Sequence, residues 1–248
     1  MSTTSETGHA KNVANFQDLI AFCIGYGAAF NPANANIKLT ALNTEFTDAT
    51  AVMDAYHAAL PPYINGVNIR ESMFAPLAKF ATRILNAAIA SAMPAGSLGD
   101  VRGYVRKLQG RRASPKLPDV KDDPATPQDE SHKSASSSQM SIDSRIENLD
   151  KLIQLLASLP GYNPNEADLK ITALQTLLAS MKAANLAVAT AYTALSTARI
   201  ARNKKLYDPI AGLVTIAAEV KSYVKSVFGA TSPQFKQISK VKFTRFKP

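Results

Sequence analysis

The chain contains itself twice. Near the start it reads Val13-Ala-Asn-Phe-Gln-Asp-Leu-Ile20, then Asn31-Pro32, then Lys38-Leu-Thr-Ala-Leu42. Later it reads Ile146-Glu-Asn-Leu-Asp-Lys-Leu-Ile153, then Asn163-Pro164, then Lys170-Ile-Thr-Ala-Leu174. The ends of the copies also match. Val101-Arg-Gly-Tyr104-Val-Arg106, Gly110 and Ser114-Pro115 correspond to Val220-Lys-Ser-Tyr223-Val-Lys225, Gly229 and Ser232-Pro233. A tandem duplication fixes the repeating unit before any other signal is read. It divides 248 residues into two units of roughly 100, each large enough to bury a core. It also offers a control, because a group needed for chemistry can be compared with its twin.

Both copies read as helices. Phe16, Leu19, Ile20, Cys23 and Ile24 recur at helical spacing, and Leu149, Leu152, Ile153 and Leu156 repeat the pattern. Ser144-Arg-Ile-Glu147 has the form of a capping box. Asn31-Pro32 and Asn163-Pro164 predict the starts of long second helices, with Glu166 placed to reach back to Asn163. Pro61-Pro62 predicts a break between the second and third helices of copy one. The aligned Thr193–Ser196 has no proline and permits either a turn or one continuous long helix; a turn is the expectation, by analogy with the first copy. Pro76 and Pro209 predict matching kinks or restarts. A short fourth helix is expected over Leu98–Gln109, after an extra loop at Ser91–Gly99. In copy two it runs on from the third helix and ends at Gly229. Gly110 and Gly229 suit C-terminal caps.

The expected fold class is therefore all-α, with two tandemly duplicated antiparallel helical-bundle units, a flexible linker and an extended basic tail. The expected boundaries are a disordered leader (1–11), unit one (12–117), an acidic Ser/Pro linker (118–140), unit two (141–229) and the tail (230–248). The linker has almost no large apolar side chains with which to offset its ordering entropy.

The polar N-terminus, Met1 to Gly8, lacks an apolar signal core. The longest uncharged stretch, Ala183–Ala198, is short and polar for a bilayer span. The expectation is a cytoplasmic protein without a membrane span. The single cysteine, Cys23, excludes an internal disulfide framework. Its place on an apolar helix face, with Leu156 as its twin, reads as a small buried hydrophobe.

The net charge of +9 is concentrated at equivalent ends of the two copies. Arg102, Arg106, Lys107, Arg111, Arg112 and Lys116 lie in a segment with no acid. So do Lys221, Lys225, Lys236, Lys240, Lys242, Arg245 and Lys247. Without these two segments the chain would carry −4. Basic residues beside an apolar helix stripe, near a helix C-terminus, need no partner to explain them. The loop after Leu108 and the tail do not have that explanation. In the tail Phe235, Ile238, Val241, Phe243 and Phe246 alternate with lysine and arginine. Three readings follow. The apolar residues pack back on the bundle, the segment docks on a protein partner, or the aromatic and basic residues bind single-stranded nucleic acid.

The sequence carries no familiar catalytic or nucleotide-binding motif. Gly25-Tyr-Gly-Ala-Ala-Phe30 stops short of a dinucleotide fingerprint, and there is no P-loop, H-E-x-x-H or G-x-S-x-G. Asp54 and His57 stand one helical turn apart, but their twins are Leu186 and Ala189. His9 and His132 fall in segments expected to be disordered. Arg70 and Arg202 are retained in both copies while Glu71 becomes Asn203, which suggests matching structural contacts such as bonds to helix-end carbonyls.

Phe228-Gly-Ala-Thr-Ser-Pro-Gln-Phe-Lys-Gln-Ile-Ser-Lys-Val-Lys-Phe-Thr244, with Val105-Arg-Lys-Leu-Gln-Gly-Arg-Arg112 and Arg70-Glu-Ser-Met-Phe-Ala-Pro76, resembles a family of uncharacterised two-repeat helical bacterial proteins. The resemblance covers most of the chain and implies a two-unit helical protein in the cytoplasm. It carries no activity, cofactor or site residue with it.

The resulting expectation is a non-enzymatic scaffold or adaptor that works through two similar bundle surfaces, by a protein partner or by self-association. The alternative is nucleic-acid binding through Arg102–Lys116 and Lys236–Lys247. No catalytic, cofactor-binding or metal-binding residues are assigned, and no small-molecule substrate is evident. The candidate partner-binding residues are Arg102, Arg106, Lys107, Arg111, Arg112, Lys116, Lys236, Lys240, Lys242, Phe243, Arg245, Phe246 and Lys247.

Overall fold

The computed structural model describes residues 4–111 and 140–245. Among them the regular structure is entirely helical, with no strand. The helices are α1 (Thr4–Gly25), α2 (Leu39–Phe74), α3 (Leu77–Ala90), α4 (Ala95–Leu108), α5 (Ile142–Ala157), α6 (Ile171–Tyr207), α7 (Leu213–Phe228) and α8 (Pro233–Ser239). The linker expected at 118–140 lies outside the described residues except for Met140.

The compact units do not follow the repeat boundaries. One unit takes Met1–Ile64 and Thr190–Pro248; the other takes Asn65–Ala189. The division into 12–117 and 141–229 read from the sequence therefore differs from the division by packing. In the first unit the apolar face of α1 (Phe16, Leu19, Ile20, Cys23) shares a core with Leu213, Ile216, Val220 and Val224 of α7. In the second, Leu149, Leu152, Ile153 and Leu156 of α5 share a core with Leu77, Ala81 and Ile84 of α3 and Val101, Val105 and Leu108 of α4. The first helix of each copy thus packs on the last helices of the other copy. Each core is apolar helix face against apolar helix face, and its stability comes from area removed from water.

The long helices explain how the copies are shared out. α2 is continuous through Pro61 and Pro62, so the expected break is absent. Both prolines are exposed, as are His57 and Ala58 one turn earlier. The carbonyls that lose their N–H partners there are thus on a wet side of the helix, which lowers the cost of interior proline. The turn expected at Thr193–Ser196 is also absent, and α6 runs unbroken over 37 residues. Each long helix contributes one part to each unit.

Helix starts also differ from expectation. Asn31-Pro32 and Asn163-Pro164 do not open helices; each is followed by a single 3₁₀ turn, Ala35–Ile37 or Ala167–Leu169, before α2 or α6 begins. Asn34, not Asn31, caps the first turn, its side chain accepting from the Asn36 N–H. Glu166 makes no side-chain cap. Ser141, not Ser144, caps α5 by accepting from the Ser144 N–H at 3.1 Å. Pro76 sits just before the restart at α3, and Pro209 lies in the turn before α7. α4 begins at Ala95, so the loop expected over Ser91–Gly99 shortens to four residues.

Two glycines are required by geometry. Gly110 ends α4 with φ +69°, its N–H donating to the Lys107 carbonyl while that of Arg111 reaches Arg106. That is the paired hydrogen bonding of a Schellman cap. Gly212 closes the turn before α7, where a Cβ would stand 2.4 Å from the Asp208 nitrogen. The Asp208 carboxylate accepts from the N–H groups of Ile210 and Ala211, which hold it below its ordinary pKa.

Candidate interaction surfaces

The expected disordered leader is helical from Thr4, and His9 and Asn12 are buried within the first unit. His9 Nδ1 lies 2.6 Å from the Tyr207 hydroxyl, and Asn12 Nδ2 donates to the same oxygen at 3.2 Å. The tail closes over this group. Asn12 Nδ2 donates to the Thr244 carbonyl, the Thr244 N–H donates back to Asn12 Oδ1, and Asn15 Nδ2 donates to the Lys242 carbonyl. Sequence reasoning missed this clasp. Its signal was present: Asn12 and Asn15 are polar residues on the stripe that carries Phe16, Leu19 and Ile20, and buried amides require partners.

The tail is not extended throughout. Ser232 accepts from the Phe235 N–H and opens α8, with Pro233 at its first position. Ile238 is fully buried, and Phe235 and Phe243 pack against the same core. Of the three readings of the tail, the described residues take the first: its apolar side chains return to the chain's own bundle. The rings are covered from outside as well. Lys225 Nζ lies 5.8 Å from the Phe235 ring centre and Lys221 Nζ 5.0 Å from that of Phe243. Lys221 also donates to the Val241 carbonyl. Burial first, and then the charge of Lys242, lower the Lys221 pKa.

The candidate basic residues fall in different units. Arg102 and Arg111 are exposed, while Arg106 and Lys107 are half-buried beside the stripe by which α4 enters its core. Lys107 Nζ stands 5.3 Å from the Tyr104 ring centre. Lys236, Lys240, Lys242 and Arg245 are exposed on the first unit, where Phe243 is half-buried. Arg112, Lys116, Phe246 and Lys247 lie outside the described residues.

Other candidates resolve into packing. Cys23 is fully buried, and desolvation pushes its thiol up to about 12. Arg202 stacks on Tyr56 at 4.4 Å and donates to Asn203 Oδ1. Arg70 donates to Asn185 Oδ1, and Asn185 in turn to Asp143. The retained arginines therefore have different contacts. The helix-end carbonyl of Phe74 is taken by Arg145, the twin of Asn12. Among the described residues no three His, Cys, Asp or Glu side chains gather as a metal site.

The second unit contains an apolar cleft of about 310 Å³ lined by Met73, Leu77, Phe80, Asp168, Ala173 and Leu177. Arg83 grips Asp168 with two hydrogen bonds, of 2.6 and 3.2 Å. The equivalents of Met73 and Leu177 in the first unit are Lys205 and Glu45. There Lys205 bridges Glu45 at 2.7 Å and Asp48 at 2.8 Å. One duplicated position thus carries an ion pair in one unit and a cleft in the other.

The largest uncovered apolar residues lie on or beside the helices. In the first unit they include Tyr192 and Ile200 of α6 and Ile210 of the following turn, 52, 67 and 82% exposed. In the second they include Ile69 of α2 and Leu186 of α6, 57 and 68% exposed. α6 is long and apolar enough to cross a membrane, and its most apolar stretch is only 22% buried. No protein-family model, curated protein or solved structure matches the chain.

Proposed function

We propose that the chain is a helical scaffold that acts by association, its bundle surfaces engaging a second copy of the same chain, and that it catalyses no reaction. The observation that carries this reading is the poor cover on α6. A helix with Leu186 and Ile200 about two-thirds exposed, and with its most apolar stretch 22% buried, leaves apolar area that association would remove from water. A bilayer is a poorer fit for that area. The neutral stretch 183–198 lies between Lys182 and Arg199. At 1.5 Å per residue it is about 24 Å long, short of a hydrocarbon core of about 30 Å.

Sedimentation equilibrium over a wide concentration range tests the reading. The weight-average mass should rise with concentration, and Leu186→Lys and Ile200→Lys should each lower it at a given concentration while the thermal melt is kept. A monomeric mass throughout, or association unchanged in both variants, would reject it.

A further inference from the structure

The lysines of α7, α8 and the tail form a cationic face that the first unit keeps folded without acidic partners. Lys225 and Lys221 cover the rings of Phe235 and Phe243, and the exposed Lys236, Lys240, Lys242 and Arg245 continue the same segment. Residues 220–245 contain no Asp or Glu. The nearest acid in sequence, Glu219, accepts a hydrogen bond from Asn34. The acids of α2 in this unit that form ion pairs, Glu45 and Asp48, are bound to Lys205. None of the ion pairs among the described residues involves the lysines of this face or Arg245.

Holding like charges together is unfavourable; at Lys221 burial first, and then the charge of Lys242, lowers the pKa. The clasp of Asn12 and Asn15 on the carbonyls of Thr244 and Lys242 nevertheless holds this segment against the bundle. The cations are therefore displayed on a folded surface, not on a free arm. We propose that this face docks on the phosphate backbone of double-stranded DNA, through charge and without reading bases.

The packing of the rings selects among polyanions. Single-strand binding of the usual kind needs aromatic faces on which bases stack. Phe235 and Phe243 are instead half-buried, packed against the core with a lysine over each ring. Docking on an anionic bilayer gains from large apolar side chains that enter the interface. Of the exposed large apolar residues, Val227 of α7 alone lies between positions 220 and 245, too little apolar area to enter a bilayer. What remains is point-charge contact with closely spaced phosphates, which favours the high linear charge of a duplex. This inference is independent of self-association through α6.

The test uses the full chain with a fluorescent mixed-sequence DNA duplex, followed by anisotropy across a salt series. The variant Lys236→Gln/Lys240→Gln/Lys242→Gln changes only exposed side chains and keeps the backbone acceptor at position 242. A second variant, Lys170→Gln/Lys182→Gln, changes exposed lysines of the other unit. The full chain should bind the duplex more tightly than a single strand of equal length, with log affinity falling linearly with log salt. The triple variant should lose at least about tenfold in affinity, and its salt slope should be shallower by about 3. The control variant should change neither. No binding at low salt, an unchanged slope in the triple variant, or tighter binding to single strands, duplex RNA or anionic phosphatidylserine vesicles would overturn the proposal.

Discussion

Asn12 of the first helix and Thr244 of the tail exchange two hydrogen bonds across 232 positions of sequence. The Asn12 amide donates to the Thr244 carbonyl at 2.8 Å, and the Thr244 N–H donates to the Asn12 side-chain oxygen at 2.9 Å. The side chain serves the tail backbone as a neighbouring strand would. It joins the first helix of copy one to the end of copy two.

Replacing Asn12 with Ala leaves the backbone groups of Thr244 without those partners and also removes the bond to Tyr207. The expected loss is about 1–3 kcal/mol of stability, the cost of unpaired polar groups at a partly buried site. Hydrogen exchange at the Thr244 amide should speed up markedly, while amides of α4 and α5 in the other unit stay protected. Unchanged exchange at Thr244 would show that the clasp does not hold the tail.

The twin positions supply a second test. Glu45 is buried, and desolvation raises its pKa despite the opposing pull of Lys205. Lys205→Met alone leaves that carboxylate without its cation, at a cost of about 1–3 kcal/mol. Lys205→Met with Glu45→Leu installs the residue types that stand at the equivalent positions of the other unit. The double variant should melt close to the wild type or above it, because well-packed apolar groups can replace an ion pair without loss. A double variant less stable than the single one would contradict this.

Asp168 gives a pH prediction with a definite sign. Its hydrogen bonds from Arg83, and then the arginine charge, hold its pKa below the ordinary value, although the pair is exposed. A depressed carboxylate contributes stability that is present above the unfolded pKa and lost as pH falls through the folded one. An Arg83→Gln variant should therefore differ from wild type near neutrality and converge with it in strong acid. Carboxyl NMR should show the Asp168 pKa rising toward its ordinary value in that variant. An unmoved pKa would rule out the arginine as the cause.

Cys23 should behave as a core side chain. With its pKa pushed up to about 12 and no exposed surface, it should resist thiol reagents in the native protein and react fully after denaturation. Rapid native labelling would place it outside the core.

The apolar spacing of Phe16 through Cys23 and of Leu149 through Leu156 made the helical class and the buried faces legible. So did Gly110, Gly229 and the prolines at 76 and 209. The matching segments of sequence suggested two copies, but not which helices pack together. Periodicity shows that a face is buried and not what covers it. Pro61-Pro62 misled because proline propensity does not record whether the freed carbonyls face water. The tail's aromatic and basic alternation admitted several readings. The decisive residues, Asn12 and Asn15, lay more than two hundred positions away, so no local pattern connected them to Thr244 and Lys242.

Each compact unit draws its helices from both halves of the sequence. The most direct measurement is circular dichroism melting of two separately produced fragments, 1–117 and 118–248, alone and mixed. The crossed packing predicts that neither fragment alone melts cooperatively as a monomer and that an equimolar mixture recovers the helicity and melting transition of the intact chain. A fragment 1–117 that is monomeric and melts cooperatively by itself, with nothing gained on mixing, would show that each copy folds alone and would contradict the account.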